Sequence, residues 1–102
     1  MLPKPLHAKA AGDPLARHRL ILATPPLWPA WPFLPLVRRR TGEEELGVLF
    51  DLYEVFGLTG HSATVWLTNL FTLPPTLSDF LALPKEVFDT ADEVVAAGWR
   101  VD

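Results

Sequence analysis

The chain has 102 residues, enough for one domain, and 49% of them are hydrophobic, which is enough apolar material for a core. It contains no cysteine, which excludes disulfides, thiolate metal sites and thiol catalysis, and its 11 prolines favour short strands and loops over long helices. Residues 1 to 40 carry seven basic residues against one acid, whereas residues 41 to 102 carry two against eleven. This asymmetry predicts either two halves that attract each other or a basic arm that reaches an acidic partner.

Residues 1 to 32 are predicted to form an extended, basic, proline-rich arm. The first sixteen residues are rich in Ala, Pro and Lys and show no sustained periodicity. A short strand candidate at 19 to 23 is followed by the segment TPPLWPAWP, in which proline favours polyproline-like geometry. Trp28 and Trp31 are then either exposed or folded back on a sheet. We expect this arm to be distinct from a compact domain of residues 33 to 102.

A mirror of charge in the middle of the chain predicts a β-hairpin. The arginine triplet Arg38, Arg39 and Arg40 is separated from three glutamates at 43 to 45 by Thr41 and Gly42 alone, and apolar runs lie at 33 to 37 and 46 to 53. Folding the chain at the Thr-Gly pair sets arginine opposite glutamate and apolar residues opposite apolar residues. The hairpin is therefore expected to compensate much of its own charge.

Two registers of this hairpin are open. A two-residue turn pairs Arg40 with Glu43, but it requires a positive φ at Thr41, which a β-branched residue resists. A three-residue loop with Gly42 in the left-handed position instead sets Arg39 opposite Glu43, and the turn chemistry favours it. In that register one face would hold apolar residues from both strands: Leu34, Leu36, Leu46, Val48 and Phe50.

The next strand is predicted at residues 61 to 73, after a glycine-punctuated loop at 54 to 60. Apolar and polar residues alternate along it, as in an antiparallel strand with one half-solvated face. Asn69 interrupts the apolar side, which indicates either a bulge or a buried amide.

Two short helices are predicted towards the end of the chain. The first lies at 76 to 83, between a Pro-Pro pair and Pro84, with Thr76 or Ser78 as its cap. The second starts at the capping box formed by Thr90 and Glu93 and ends at Gly98. A helix this short must dock on the sheet through Val94, Val95 and Trp99, and residues 99 to 101 could add an edge strand.

These elements predict an α+β domain with a small antiparallel sheet of about four strands, two short C-terminal helices and an extended arm. Several short strands are also compatible with a partly open barrel that resembles SH3 domains. No run of residues approaches the length of a membrane span, and no secretory signal is recognisable. We therefore expect a soluble, cytoplasmic protein without a membrane partner.

The sequence contains little that points to catalysis. His7, His18 and His61 lack the spacings of histidine metal sites, and no glycine-rich phosphate loop is present, so neither a metal nor a cofactor is expected. His61 lies beside Thr and Ser hydroxyls at the start of a strand and is the residue that a small enzyme would use. Ordinary turn chemistry explains the same residues more simply, and we expect no enzymatic activity.

Protein binding is the function that the sequence favours. The predicted partner-binding residues are Arg17, Arg19, Trp28 and Trp31, on an arm that docks on another protein chain, together with an exposed sheet edge. Such a module would be a small subunit or adaptor of a larger assembly. The alternative is nucleic-acid binding, in which these four residues and Arg38 to Arg40 supply cations and stacking surfaces.

Overall fold

The hairpin predicted from the charge pattern lies at the centre of the fold. A computed structural model, which describes residues 13 to 57 and 63 to 102, shows strands β1 (Phe33–Arg40) and β2 (Glu43–Phe50) paired antiparallel. With β3 (Ala63–Trp66), β4 (Lys85–Phe88) and β5 (Arg100–Val101) they form an antiparallel sheet in the order β4-β3-β2-β1-β5. Within the described residues the two end strands do not pair, so the sheet is open and not a closed barrel. The fold class is α+β.

Short helices flank this sheet. They are α1 (Ala16–Ala23), α2 (Leu52–Phe56), α3 (Leu77–Leu81) and α4 (Ala91–Ala96), with 3-10 turns at Pro25–Leu27 and Leu70–Thr72. The hydroxyl of Thr76 caps α3, and that of Thr90 accepts a hydrogen bond from the backbone N–H of Glu93 at 3.2 Å. The Glu93 carboxylate in turn accepts from the N–H of Asp89 at 2.8 Å. Helices α3 and α4 therefore each have a first-turn N–H donor satisfied by a threonine that the sequence singles out, whereas α1 has no side-chain cap.

The hairpin register differs from the one that the turn chemistry favours. Arg40 pairs with Glu43, which leaves a two-residue loop of Thr41 and Gly42. Both loop residues have a positive φ, 46° and 80°, as a type I′ turn requires. The prediction that Arg39 faces Glu43 across a three-residue loop is therefore wrong.

Close packing at Gly47 explains why the hairpin adopts a two-residue turn with backbone strain at Thr41. In the observed register Gly47 lies opposite Leu36, on the face of the sheet that Trp99 covers. A Cβ atom at Gly47 would lie 2.6 Å from Val65 Cγ1 and 3.0 Å from Trp99 Cη2, so only glycine allows the indole to approach. A slip by one residue would place Leu46 there and overpack the core. The slip would also move every other side chain of the strand to the opposite face, so the observed register tolerates strain of about 1–3 kcal/mol at Thr41.

Both faces of the sheet are buried, and each carries its own apolar cluster. The cluster under α1 and α4 consists of Leu22, Trp28, Leu34, Leu36, Leu49, Ala63, Val65, Val94, Val95 and Trp99. The cluster on the opposite face consists of Val48, Phe50, Leu52, Trp66 and Phe80. Phe33 stacks on Phe50 there, with ring centroids 4.7 Å apart. The five apolar residues predicted to share one hairpin face are thus divided between two faces.

The strand predicted at 61 to 73 is much shorter in the structure. Only Ala63–Trp66 is strand within the described residues, and all four of its residues are buried, so the predicted half-solvated face is wrong. Residues 61 and 62 lie outside the described residues. Asn69 marks neither a bulge nor a buried amide: its side chain accepts from the N–H of Phe71 at 2.8 Å and begins the 3-10 turn. Alternation misleads here because a capped turn and a half-buried strand produce similar patterns.

Two boundaries around the hairpin also need correction. The second strand ends at Phe50 and not at Tyr53, because helix α2 begins directly after Asp51, which caps it. Gly57, with a φ of 68°, ends this helix. The predicted loop at 54 to 60 is therefore partly helical. Strand β4 was not predicted at all, which explains why the sheet exceeds the expected four strands.

The described part of the predicted arm, residues 13 to 32, is not extended. It contains helix α1 in place of the strand candidate at 19 to 23, and Leu22 and Trp28 belong to the cluster beneath it. The Trp28 indole donates a hydrogen bond to the carbonyl of Ile21 at 2.7 Å, which folds the chain back after α1. The prolines fit because Pro25 and Pro26 open a 3-10 turn, where their missing N–H groups are not needed. Residues 1 to 12 lie outside the described residues.

Candidate functional site

One surface hollow has aromatic, proline and acidic walls. It measures about 640 Å³ and is lined by Pro25, Pro26, Trp31, Asp51, Tyr53 and Glu54; we call it the Trp31 hollow. Trp31 is 48% exposed and Tyr53 is 60% exposed. Exposed apolar side chains that lie together in one patch mark interaction sites more often than singly exposed residues do.

Two neighbouring turns place these side chains. Trp28 is anchored in the core, so the chain turns outward immediately after it and carries Trp31 to the surface. On the other side, the N–H of Asp51 donates to the carbonyl of Pro32 at 2.9 Å, which joins the end of β2 to this turn. Tyr53 and Glu54 follow on the first turn of α2.

The carboxylate of Asp51 fixes both walls of the hollow. One oxygen, Oδ2, accepts a hydrogen bond from the Trp31 indole at 2.9 Å, while Oδ1 accepts from the backbone N–H of Glu54 at 3.4 Å. A single residue therefore orients the indole and caps the helix that carries Tyr53. The Trp31 indole is held in place before any ligand arrives, which reduces the entropy lost on binding.

The hollow carries uncompensated negative charge. Neither Asp51 nor Glu54 forms an ion pair with any described residue. Carboxylates beside exposed aromatic faces favour a cationic group, since the ring quadrupole and the negative charges attract it together. Aromatic and proline walls also suit an extended proline-containing segment.

Of the four predicted partner-binding residues, only Trp31 lies in this hollow. Trp28 is 6% exposed, so its indole is not available at the surface. Arg19 forms ion pairs with Asp13 at 3.1 Å and with Asp92 at 3.3 Å. Arg17 is exposed on α1 and lines a separate hollow of about 320 Å³. The structure does not bring the four together as one surface.

The arginine triplet is largely neutralised. The side chain of Arg38 is 3% exposed and pairs with Glu45 at 2.9 Å and with Glu86 at 2.6 Å. Hydrogen bonds from Arg38 lower the pKa of both glutamates, and these glutamates raise the pKa of the guanidinium. The remaining two arginines are exposed and also pair with glutamates across the hairpin. The nucleic-acid alternative stays a prediction, with less free cationic surface than the sequence suggests.

Sequence reasoning missed the residues that complete the hollow: Pro25, Pro26, Asp51, Tyr53 and Glu54. A signal for part of the set exists, because an aspartate followed three residues later by a glutamate is typical of a helix start. The apolar run at 46 to 53 outweighed it and led to the interpretation as strand.

His61 and its hydroxyl neighbours lie outside the described residues. In the part of the chain that the structure describes, no helix could cross a membrane and no three His, Asp or Glu side chains are grouped to hold a metal ion. No protein-family model, no curated protein and no solved structure matches the chain.

Proposed function

We propose that the protein is a non-enzymatic interaction module, a small subunit or adaptor, that binds a basic, proline-containing segment of another protein in the Trp31 hollow. The observation that carries this proposal is the pair of exposed rings, Trp31 and Tyr53, beside two carboxylates that no described cation neutralises. Docking on another chain by the arm of residues 1 to 32 and by the sheet edge stays a prediction.

A peptide fits this hollow for energetic reasons. Tryptophan is a frequent hot spot of protein interfaces, and truncating one at the centre of an interface costs about 2 kcal/mol or more. A cation placed over an aromatic ring adds roughly 0.5–2 kcal/mol, depending on its desolvation. A proline-containing segment is already extended in solution and therefore loses little entropy on docking. The hydrogen bond from Trp31 to Asp51 provides the same advantage on the protein side.

The test uses a short peptide of alternating proline and arginine, with two matched peptides in which arginine is replaced by glutamine or by glutamate. Trp31 is the exposed one of the four tryptophans, since Trp28, Trp66 and Trp99 are at most 6% exposed. A change in intrinsic fluorescence when peptide is added should therefore come mainly from Trp31, and calorimetry measures the affinity. We expect the arginine peptide to bind, the glutamine peptide to bind less tightly and the glutamate peptide not to bind.

Variants locate the contact. Trp31→Ala should weaken binding of the arginine peptide by about 30-fold, the equivalent of a 2 kcal/mol hot spot. Glu54→Gln should remove mainly the part of the binding free energy that depends on salt concentration. Leu20→Ala is the matched control, because Leu20 is 59% exposed and does not line the hollow. Equal affinity for all three peptides, or full affinity of Trp31→Ala, would overturn the proposal. Tight binding of a single-stranded oligonucleotide in place of the peptide would favour the nucleic-acid alternative.

A further inference from the structure

A second apolar surface centres on Phe71, the most exposed large hydrophobic residue in the described parts of the chain, at 92%. Its backbone is fixed: its N–H donates to the side chain of Asn69 at 2.8 Å, and the next residue, Thr72, donates its N–H to the Asn69 carbonyl at 3.0 Å. The Thr72 hydroxyl donates to the same carbonyl at 3.3 Å. Phe71 is therefore an apolar side chain that projects from a fixed backbone turn.

A hollow of about 390 Å³ lies directly beside this projection. Its apolar wall is formed by Pro35, Leu46, Leu70 and Phe71 itself. Leu46 is 37% exposed, so the wall is open to solvent. We call this the Phe71 hollow. It shares no lining residue with the Trp31 hollow.

We propose that the occupant of the Phe71 hollow is the Phe71 side chain of a second copy of this chain. A projection and an adjacent cavity on one patch are self-complementary, so a two-fold axis through the patch inserts each phenyl ring into the hollow of the other copy. One contact is then made twice. A different partner that offered only a cavity for the ring would leave the Phe71 hollow unfilled.

Charge also favours a second copy at this surface. The chain has a net charge of −3, so two copies repel each other over most orientations. Among the residues that line the Phe71 hollow, Asp102 alone is charged. Two copies therefore meet here with little like-charge repulsion and with apolar surface to bury.

The pairing would make the molecule bivalent. Because the two hollows share no lining residue, a pair of copies joined at Phe71 keeps two Trp31 hollows available. A partner with repeated basic segments would then bind more tightly than a single hollow allows, without any new contact. This consequence extends beyond the binding of one segment by one chain.

The primary test is sedimentation equilibrium of the full chain from micromolar to millimolar concentration. We expect a monomer–dimer equilibrium whose dissociation constant rises by about 100-fold or more in Phe71→Ser, because one substitution removes both contacts. Val87→Ser is the control, since Val87 is a 60% exposed apolar residue on the edge strand β4. A chain that stays monomeric throughout, or a dimer weakened by Val87→Ser and not by Phe71→Ser, overturns the proposal.

A complementation experiment separates insertion from simple loss of apolar surface. Leu46→Arg blocks the hollow but keeps the phenyl ring, whereas Phe71→Ser lacks the ring but keeps the other walls of the hollow. Each variant alone should be monomeric, and an equimolar mixture should recover dimers that contain one ring in one hollow. No recovery in the mixture, with both variants folded by circular dichroism, argues against reciprocal insertion. Both variants should still bind the proline-arginine peptide, so failure here is distinguishable from failure of the proposed function.

Discussion

The guanidinium carbon of Arg38 lies 4.2 Å from the centroid of the Trp99 ring, and Glu86 accepts hydrogen bonds from both side chains. This contact joins the hairpin to β4 and to the residue that precedes β5. Arg38 also pairs with Glu45 directly opposite on β2. One buried cation therefore connects three strands, and Trp99 covers it on the side of the core.

Arg38→Ala should destabilise the protein by about 3 kcal/mol, near the lower end for a broken buried ion pair, because both glutamates retain some contact with water. Arg39→Ala is the matched control: Arg39 pairs with Glu44 at the surface and should contribute at most about 1 kcal/mol. Urea unfolding followed by circular dichroism measures both. Equal losses for the two variants would show that the Arg38 network does not contribute more than a surface pair.

Gly47→Ala should destabilise by about 2 kcal/mol, because the added methyl group would meet Val65 and Trp99 in the core. Gly42→Ala tests a different cost. The space around Gly42 is open, but its φ is 80°, so the loss there should come from backbone strain alone, about 1 kcal/mol. Thermal unfolding with near-ultraviolet circular dichroism should show a changed tryptophan environment for the first variant only. An unperturbed tryptophan signal in Gly47→Ala would argue against close packing of the indole on this strand.

Thr41→Asn should stabilise the hairpin by up to about 1 kcal/mol. Thr41 has a φ of 46°, and a type I′ turn strongly prefers Asn-Gly over a β-branched residue at this position. In the alternative three-residue loop the same residue would lie in the ordinary helical region, where asparagine offers no advantage. The melting temperature of this variant therefore distinguishes the two registers, and an unchanged or lower value would favour the three-residue loop.

A feature of the fold could be predicted from the sequence where it depends on residues that are neighbours along the chain. The position of the hairpin was predictable because mirrored charges and the Thr-Gly pair are neighbours in the sequence. Its register was not, because Trp99 and Val65, both distant along the chain, decide which residue must be glycine. The arm was misinterpreted for the same reason. Trp28 is buried because the core beneath α1 accommodates it, and composition alone does not show this.

The candidate site was predictable in part. Trp31 could be singled out, because proline spacing makes an exposed aromatic residue plausible. Its partners Asp51, Tyr53 and Glu54 lie on a turn between β2 and α2 that the sequence-based prediction placed within a strand and the start of a loop. Only the tertiary hydrogen bond from Trp31 to Asp51 brings the two segments together. No local pattern encodes that contact.

His18 gives the fold a dependence on pH near neutrality. Its Nδ1 accepts a hydrogen bond from the N–H of Val101 at 3.1 Å, which links α1 to β5. Burial and the charges of Arg100 and Arg17 lower the pKa of His18 below its usual value of 6.5. The unfolded chain therefore takes up this proton at a higher pH than the folded chain does. The stabilisation is complete above about pH 6.5 and is lost as the pH falls through the lowered folded-state pKa.

Two substitutions at this position test the linkage by urea unfolding between about pH 7 and pH 5. His18→Asn keeps an oxygen that can accept the Val101 N–H without titrating, so its stability should change less over this range than that of the natural chain. His18→Leu removes the acceptor, so this variant should be less stable than the natural chain near pH 7. Its stability should depend on pH as little as that of His18→Asn. The pKa of Glu45 and that of Glu86 are held below their usual 4.5. The stabilisation that these two carboxylates provide is therefore lost only at a more acidic pH, and this loss does not obscure the effect of His18. If the free energy of unfolding changed with pH by the same amount in all three proteins, His18 would not couple proton binding to folding. A titrating acceptor must produce a pH dependence that its non-titrating replacements lack.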